Sequence, residues 1–189
     1  MVNKSLSCKI VLLGEGSVGK TSLRRTYLGE GFRESYSMTI GADFAANRMN
    51  IDGWEITSNI WDLAGQHRFK KLRETYYRGV SGALLVYDIT RPETLTALPG
   101  WIEELKRNNN GKLVPMTVIA NKTDLREDSD VTVAREEGMA FASKLADDYG
   151  ETFTFVESSA KTGDNVTRAF EGLIRLIYDR FIEKHNANQ

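Results

Sequence analysis

Disulfides are the first thing this sequence excludes. Its 189 residues include one cysteine, Cys8, and a lone thiol closes no internal bridge. That suits a reducing compartment. Cys8 stands in an apolar run, so its expected role is packing rather than thiol chemistry. The first residues carry no signal-peptide pattern, and no apolar run approaches the roughly 18 residues of a membrane span. Position 2 is Val2, which excludes N-myristoylation, and residues 185–189 hold no cysteine to prenylate. The expectation is a cytoplasmic chain with no lipid anchor of its own, peripheral at a membrane only through partners. An excess of charge of either sign is also missing, since 25 basic residues face 26 acidic ones. A net of −1 gives no general attraction to polyanions, so no nucleic-acid partner is expected. Internal repeats and low-complexity segments are absent as well.

What is present fits one domain. The length leaves no room for two full domains, and 41% hydrophobic residues suffice for one core. The expected division is an N-terminal extension over 1–6, a domain over 7–183 and a short polar tail over 184–189. Strand-like and helix-like segments alternate, which argues for a mainly parallel sheet covered by helices. Strands are expected at 8–13, 42–51, 54–62, 83–88, 117–120 and 152–156. Asp52-Gly53 between the second and third is a hairpin signal, because both turn residues need positive φ. One antiparallel edge strand therefore joins an otherwise parallel six-stranded sheet. About five helices are expected on its two faces. They run over 19–29, irregularly within 66–78, from near Pro99 after one loose turn, over 132–149, and over 165–183. In 132–149 the expected apolar side is Val133, Met139, Ala140, Ala142 and Leu145. Ligands of such sheets bind at the carboxyl ends of the strands.

The chemistry sits at those ends. Gly14-Glu15-Gly16-Ser17-Val18-Gly19-Lys20-Thr21 matches G-x-x-x-x-G-K-[ST] between an apolar strand and a helix. Glycine-rich turns let backbone N–H groups close around a phosphate, and the helix start adds positive potential. Gly14, Gly16, Ser17, Val18, Gly19, Lys20, Thr21 and Ser22 are the expected phosphate-binding positions. Lys20 supplies charge to the β- and γ-phosphates, and Thr21 offers a hydroxyl to Mg²⁺. Asn121-Lys122-Thr123-Asp124 follows the fifth strand. A carboxylate at Asp124 accepts from N1–H and the 2-amino group of guanine, and adenine has neither donor. Ser159-Ala160-Lys161 follows the last strand. On its own it reads equally as a polar turn, but the Ala160 N–H suits guanine O6. The stems of Lys122 and Lys161 suit the faces of the base. Asp62-Leu63-Ala64-Gly65-Gln66 closes the third strand. Asp62 is placed to hold Mg²⁺ through water, Gly65 to offer its N–H to the γ-phosphate, and Gln66 to orient an attacking water. Thr39 in the polar loop is a further Mg²⁺ ligand, an assignment that rests on its neighbours.

These motifs, GEGSVGKT, Thr39, WDLAGQ, NKTD and SSAK in that order, resemble a Ras-superfamily small GTPase. Ile40-Gly41-Ala42-Asp43-Phe44, Tyr76-Tyr77-Arg78-Gly79 and Tyr87-Asp88-Ile89-Thr90 resemble its Rab-like branch. The resemblance implies a GDP/GTP switch that hydrolyses GTP with Gln66 and Lys20 as catalytic groups. No arginine in the motifs obviously reaches the γ-phosphate, so turnover is expected at about 10⁻⁴ to 10⁻³ per second without an activating protein. It implies that Phe32 lies edgewise on guanine, that Tyr36 closes over the phosphates, and that Thr39 and Gly65 are the two γ-phosphate contacts. It implies a monomer whose exchange factor, GTPase-activating protein and effectors bind between Gly31 and Gly41 and between Ala64 and Arg78. Phe44, Trp61 and Tyr76 match an effector-facing aromatic trio, with core packing as the alternative. Leu63 and His67 depart from the usual threonine and glutamate, and His67 is expected to face solvent. A competing reading is a nucleotide-locked interaction module that never cycles.

Overall fold

The computed structural model describes residues 4–33 and 39–187. Six strands form one sheet: β1 (Ser5–Leu13), β2 (Ala42–Ile51), β3 (Trp54–Leu63), β4 (Gly82–Asp88), β5 (Met116–Asn121) and β6 (Phe153–Glu157), in the order β2-β3-β1-β4-β5-β6. All neighbours are parallel except β2 and β3, which run antiparallel through the turn at Asp52 and Gly53. Both turn residues have positive φ, 51° and 79°, as a two-residue hairpin of this hand requires. Strand β1 begins at Ser5, ahead of its apolar run, because Ser5 to Ser7 pair with Glu55 to Thr57 of β3.

The helices are α1 (Lys20–Tyr27), α2 (Lys70–Glu74), α3 (Pro92–Thr96), α4 (Leu98–Asn108), α5 (Arg135–Tyr149) and α6 (Val166–Ala187). The loose turn expected before Pro99 is α3, and Ala97 joins it to α4. Successive strand residues point to opposite faces, so the apolar runs of β1 and β4 feed two cores. Val11, Leu13 and Leu85 pack with Trp101, Ile102 and Leu105 of α4 and Leu145 of α5. Ile10, Leu12, Leu84 and Val86 pack with Leu23 of α1 and Phe170, Leu173 and Ile174 of α6. Each fully buried side chain of this size contributes roughly 1.5–3 kcal/mol, so both layers hold the sheet firmly and leave its strand ends to carry chemistry.

One helix face differs from the sequence expectation. In α5 the buried positions are Gly138, Ala142 and Leu145, while Met139 is 47% exposed and Ala140 also faces out. The spacing of 138, 142 and 145 follows the helical period, and the small residue on that face, not the larger Met139, meets the sheet.

Candidate functional site

The loop from Gly14 to Gly19 leaves β1 and turns into α1. Gly19 has φ of 99°, and a Cβ there would meet Asn121 Nδ2 at 2.3 Å. No other residue fits. Asn121 explains the crowding: its Nδ2 donates to Val18 O at 2.8 Å and its Oδ1 accepts the Ala160 N–H at 3.1 Å. One side chain thus joins the first loop to the loop after β6. Lys20 is 6% exposed, and its Nζ donates to Gly14 O at 2.6 Å and Glu15 O at 2.9 Å. An ammonium has three N–H groups, so one remains for a ligand. Burial lowers its pKa to about 8, against the opposing pull of Asp62 and Glu15.

Thr21, Thr39 and Asp62 come together although they are far apart in sequence. Thr21 Oγ1 lies 2.5 Å from Asp62 Oδ2 and 3.0 Å from Thr39 Oγ1, and Thr39 Oγ1 lies 3.3 Å from the same carboxylate oxygen. Asp62 is fully buried, and its Oδ1 has no hydrogen-bond partner among the described residues. Burial raises the Asp62 pKa, while the Thr21 hydroxyl and Lys20 favour the charged form. Two hydroxyls and a carboxylate with a spare oxygen are the hard donor set that Mg²⁺ takes, so the residues present fit that ion.

Gly65 packs on the first loop so closely that a Cβ would lie 2.6 Å from Glu15 O and Gly16 N. Gln66 lies over Gly16, and its buried Oε1 has no hydrogen-bond partner among the described residues. A cleft of about 200 Å³ is lined by Gly16, Ser17, Gly19, Lys20, Thr21, Ser22, Phe32, Thr39, Leu63, Gly65, Gln66 and Lys122. Gly14 and Val18 are buried behind it. Tyr36 lies outside the described residues. Arg25 and Arg33 also line the cleft. No motif contains them, and no spacing marks either. Leu63 is buried at the cleft wall, and His67 is exposed as expected.

The loops that follow β5 and β6 adjoin. Asp124 is half-buried, and its Oδ1 accepts the Ser159 hydroxyl at 2.5 Å. Lys161 is exposed. Lys122 pairs with Asp88 at 2.6 Å, and Arg91 bridges Asp88 and the Gly16 carbonyl at 3.1 and 3.0 Å. The burial of Asp88 would raise its pKa, but Lys122 and the Thr90 hydroxyl outweigh it and hold the carboxyl below its ordinary range. The Ala160 N–H is already bonded to Asn121, so a base oxygen would share or replace that acceptor. Phe44, Trp61 and Tyr76 form a row with ring centroids 4.9 and 5.0 Å apart. Phe44 is 48% exposed and the other two are half-buried, so the trio is part surface and part packing.

A family model for the Ras family matches residues 9–179. The Ras-related protein Rab11E of Lotus japonicus is 42% identical over 176 residues, which covers 93% of this chain and 76% of that relative.

Proposed function

The chain belongs to the Ras family of small GTPases, and on that premise we propose that the cleft beside Lys20 takes GTP with Mg²⁺ and positions water to hydrolyse it. The protein is a guanine-nucleotide switch and a GTP hydrolase of Rab-like type. Lys20 and the N–H groups of residues 14–22 stabilise charge on the β- and γ-phosphates. Thr21, Thr39 and, through water, Asp62 would hold Mg²⁺, which neutralises phosphate charge when bound. Gln66 orients the attacking water, and its Oε1, which has no hydrogen-bond partner among the described residues, is available to accept a hydrogen bond from that water. Asp124 selects guanine, and Phe32 and Lys122 border the base. Thr39 and Gly65 lose their γ-phosphate contacts on hydrolysis, so residues 31–41 and 64–78 relax together. Those two segments are the surfaces for an exchange factor, a GTPase-activating protein and effectors. Rab-like regulation of membrane trafficking is the process this implies, with recruitment through partners. Among the described residues no helix is long and apolar enough to cross a membrane.

The observation that carries the reading is the convergence of Thr21, Thr39 and Asp62 oxygens within 3.3 Å beside a buried lysine. The test is direct. Protein purified from cells should release GDP or GTP on denaturation, seen by anion-exchange chromatography. Reloaded with GTP and Mg²⁺, it should release phosphate in a single turnover. Gln66→Leu should slow that turnover at least tenfold while GTP still binds. Retained GTP with no phosphate release from the parent would leave a nucleotide-locked module instead.

A further inference from the structure

A buried cation stands behind the catalytic loop. Arg73 of α2 is 1% exposed, although its neighbours Lys70, Lys71 and Leu72 face solvent. Its Nη1 donates to Ala64 O at 2.9 Å and to Gln66 O at 2.8 Å. Its Nε and Nη2 fork onto Glu104 of α4 at 2.9 and 3.1 Å, and the Tyr77 hydroxyl donates to the same carboxylate at 2.8 Å. The guanidinium lies over the Trp101 ring, 4.4 Å from its centroid, and the Trp101 indole N–H donates to Glu15 of the phosphate loop at 3.1 Å. Four of the five guanidinium N–H groups are therefore committed.

The two carbonyls held by Nη1 flank Gly65. In a trans peptide the C=O and the next N–H point in opposite directions, and no described peptide is cis. Drawing Ala64 O towards α4 therefore turns the Gly65 N–H away from Arg73. Gly65 and Gln66 line the phosphate cleft. Holding Gln66 O fixes the backbone from which the water-orienting side chain projects. A buried ion pair adds little net stability. What this one supplies is a planar fork able to reach two carbonyls and a carboxylate at once, which a lysine cannot do.

We propose that Arg73 is a positioning residue for GTP hydrolysis: braced on Glu104, it holds the Ala64 and Gln66 carbonyls and so aims the Gly65 N–H and the Gln66 side chain at the γ-phosphate. The proposal rests on the hydrolase reading above. Preorganised donors at a transition state are worth a factor of about 10² to 10³ each, and losing their aim forfeits part of that.

Two variants test it. R73K keeps the charge without the fork. R73M/E104Q removes the fork, leaves no unpaired buried charge and keeps an acceptor for Tyr77. Single-turnover hydrolysis of loaded GTP is measured beside affinities for GDP and a non-hydrolysable GTP analogue, with cooperative melting as the check on folding. Both variants should bind GDP within about threefold of the parent, because the γ-phosphate contacts are absent there. Analogue affinity should fall at least fivefold and hydrolysis at least tenfold in R73M/E104Q, with smaller losses in R73K. A folded variant with the parent's hydrolysis rate and an unchanged ratio of analogue to GDP affinity overturns the proposal. Failure of both variants to fold also overturns it, since Arg73 would then serve the fold alone. A parent that takes up no guanine nucleotide would sink the hydrolase reading, and this one with it.

Discussion

Asp124 shows how much one carboxylate decides. Half-buried and bonded to Ser159, it presents acceptors only, which two guanine donors match. Asp124→Asn exchanges one acceptor for a donor. The variant should bind guanine nucleotides at least tenfold more weakly and gain xanthine nucleotides, as competition titrations would show; equal preference in both proteins would remove Asp124 from base selection. Cys8 illustrates the opposite case. It is buried in the core, and that burial pushes its thiol pKa up to about 11. The thiolate is the reactive form, so the folded protein should resist a thiol reagent at pH 8 and react once unfolded in urea. The turn between β1 and α1, the loop at Asn121–Asp124 and the burial of Cys8 were legible because each depends on neighbours in sequence. Arg73 was not. Its partners Ala64 and Gln66 lie close along the chain, but Glu104 is 31 residues away, and only folding reveals that the solvent-facing run Lys70 to Leu72 ends in a buried charge.

At the scale of elements, the carboxyl end of β4 ties the site together. Asp88 receives Lys122, Arg91 and Thr90, so one strand end orders both Lys122 of the loop after β5 and the arginine on Gly16. Its carboxyl is held below the ordinary range. The stability it contributes is therefore complete above the unfolded carboxylate value near 4 and is lost as pH falls through the lower folded value. Asp88→Asn should cost about 1.5–3 kcal/mol at pH 7, the worth of hydrogen bonds to a buried charge. Urea unfolding across a pH series should show that gap closing only below about pH 4, and a constant gap would contradict the linkage. The elements themselves were mostly readable, since continuous apolar runs mark strands covered on both sides. The face of α5 was not, because residue type alone favours Met139, whereas contact distance to the sheet selects Gly138.

At the scale of the whole molecule, the cleft is assembled from segments that the ligand would unite. Lys20 is a buried charge, and the carboxylate oxygen Oδ1 of Asp62 lacks a partner among the described residues. A nucleotide with Mg²⁺ should answer both, so occupancy should stabilise the fold strongly. At a thousandfold excess over Kd the linkage is about 4.1 kcal/mol. For a chain of this size that corresponds to a rise of roughly 8–16 °C in Tm. Scanning fluorimetry in EDTA, with GDP, and with GDP plus Mg²⁺ should give three ascending midpoints. Coincident midpoints would mean that the cleft is not the nucleotide site.

Trp54 opens β3 at the turn end of the sheet, and its ring meets Phe181 and His185 near the close of α6. The same strand delivers Asp62 at its other end, about 27 Å away by strand rise. Anything fastened near His185 accordingly hangs from the pole opposite the phosphates. A fluorophore there would track tumbling and tethering while staying blind to which nucleotide the protein carries.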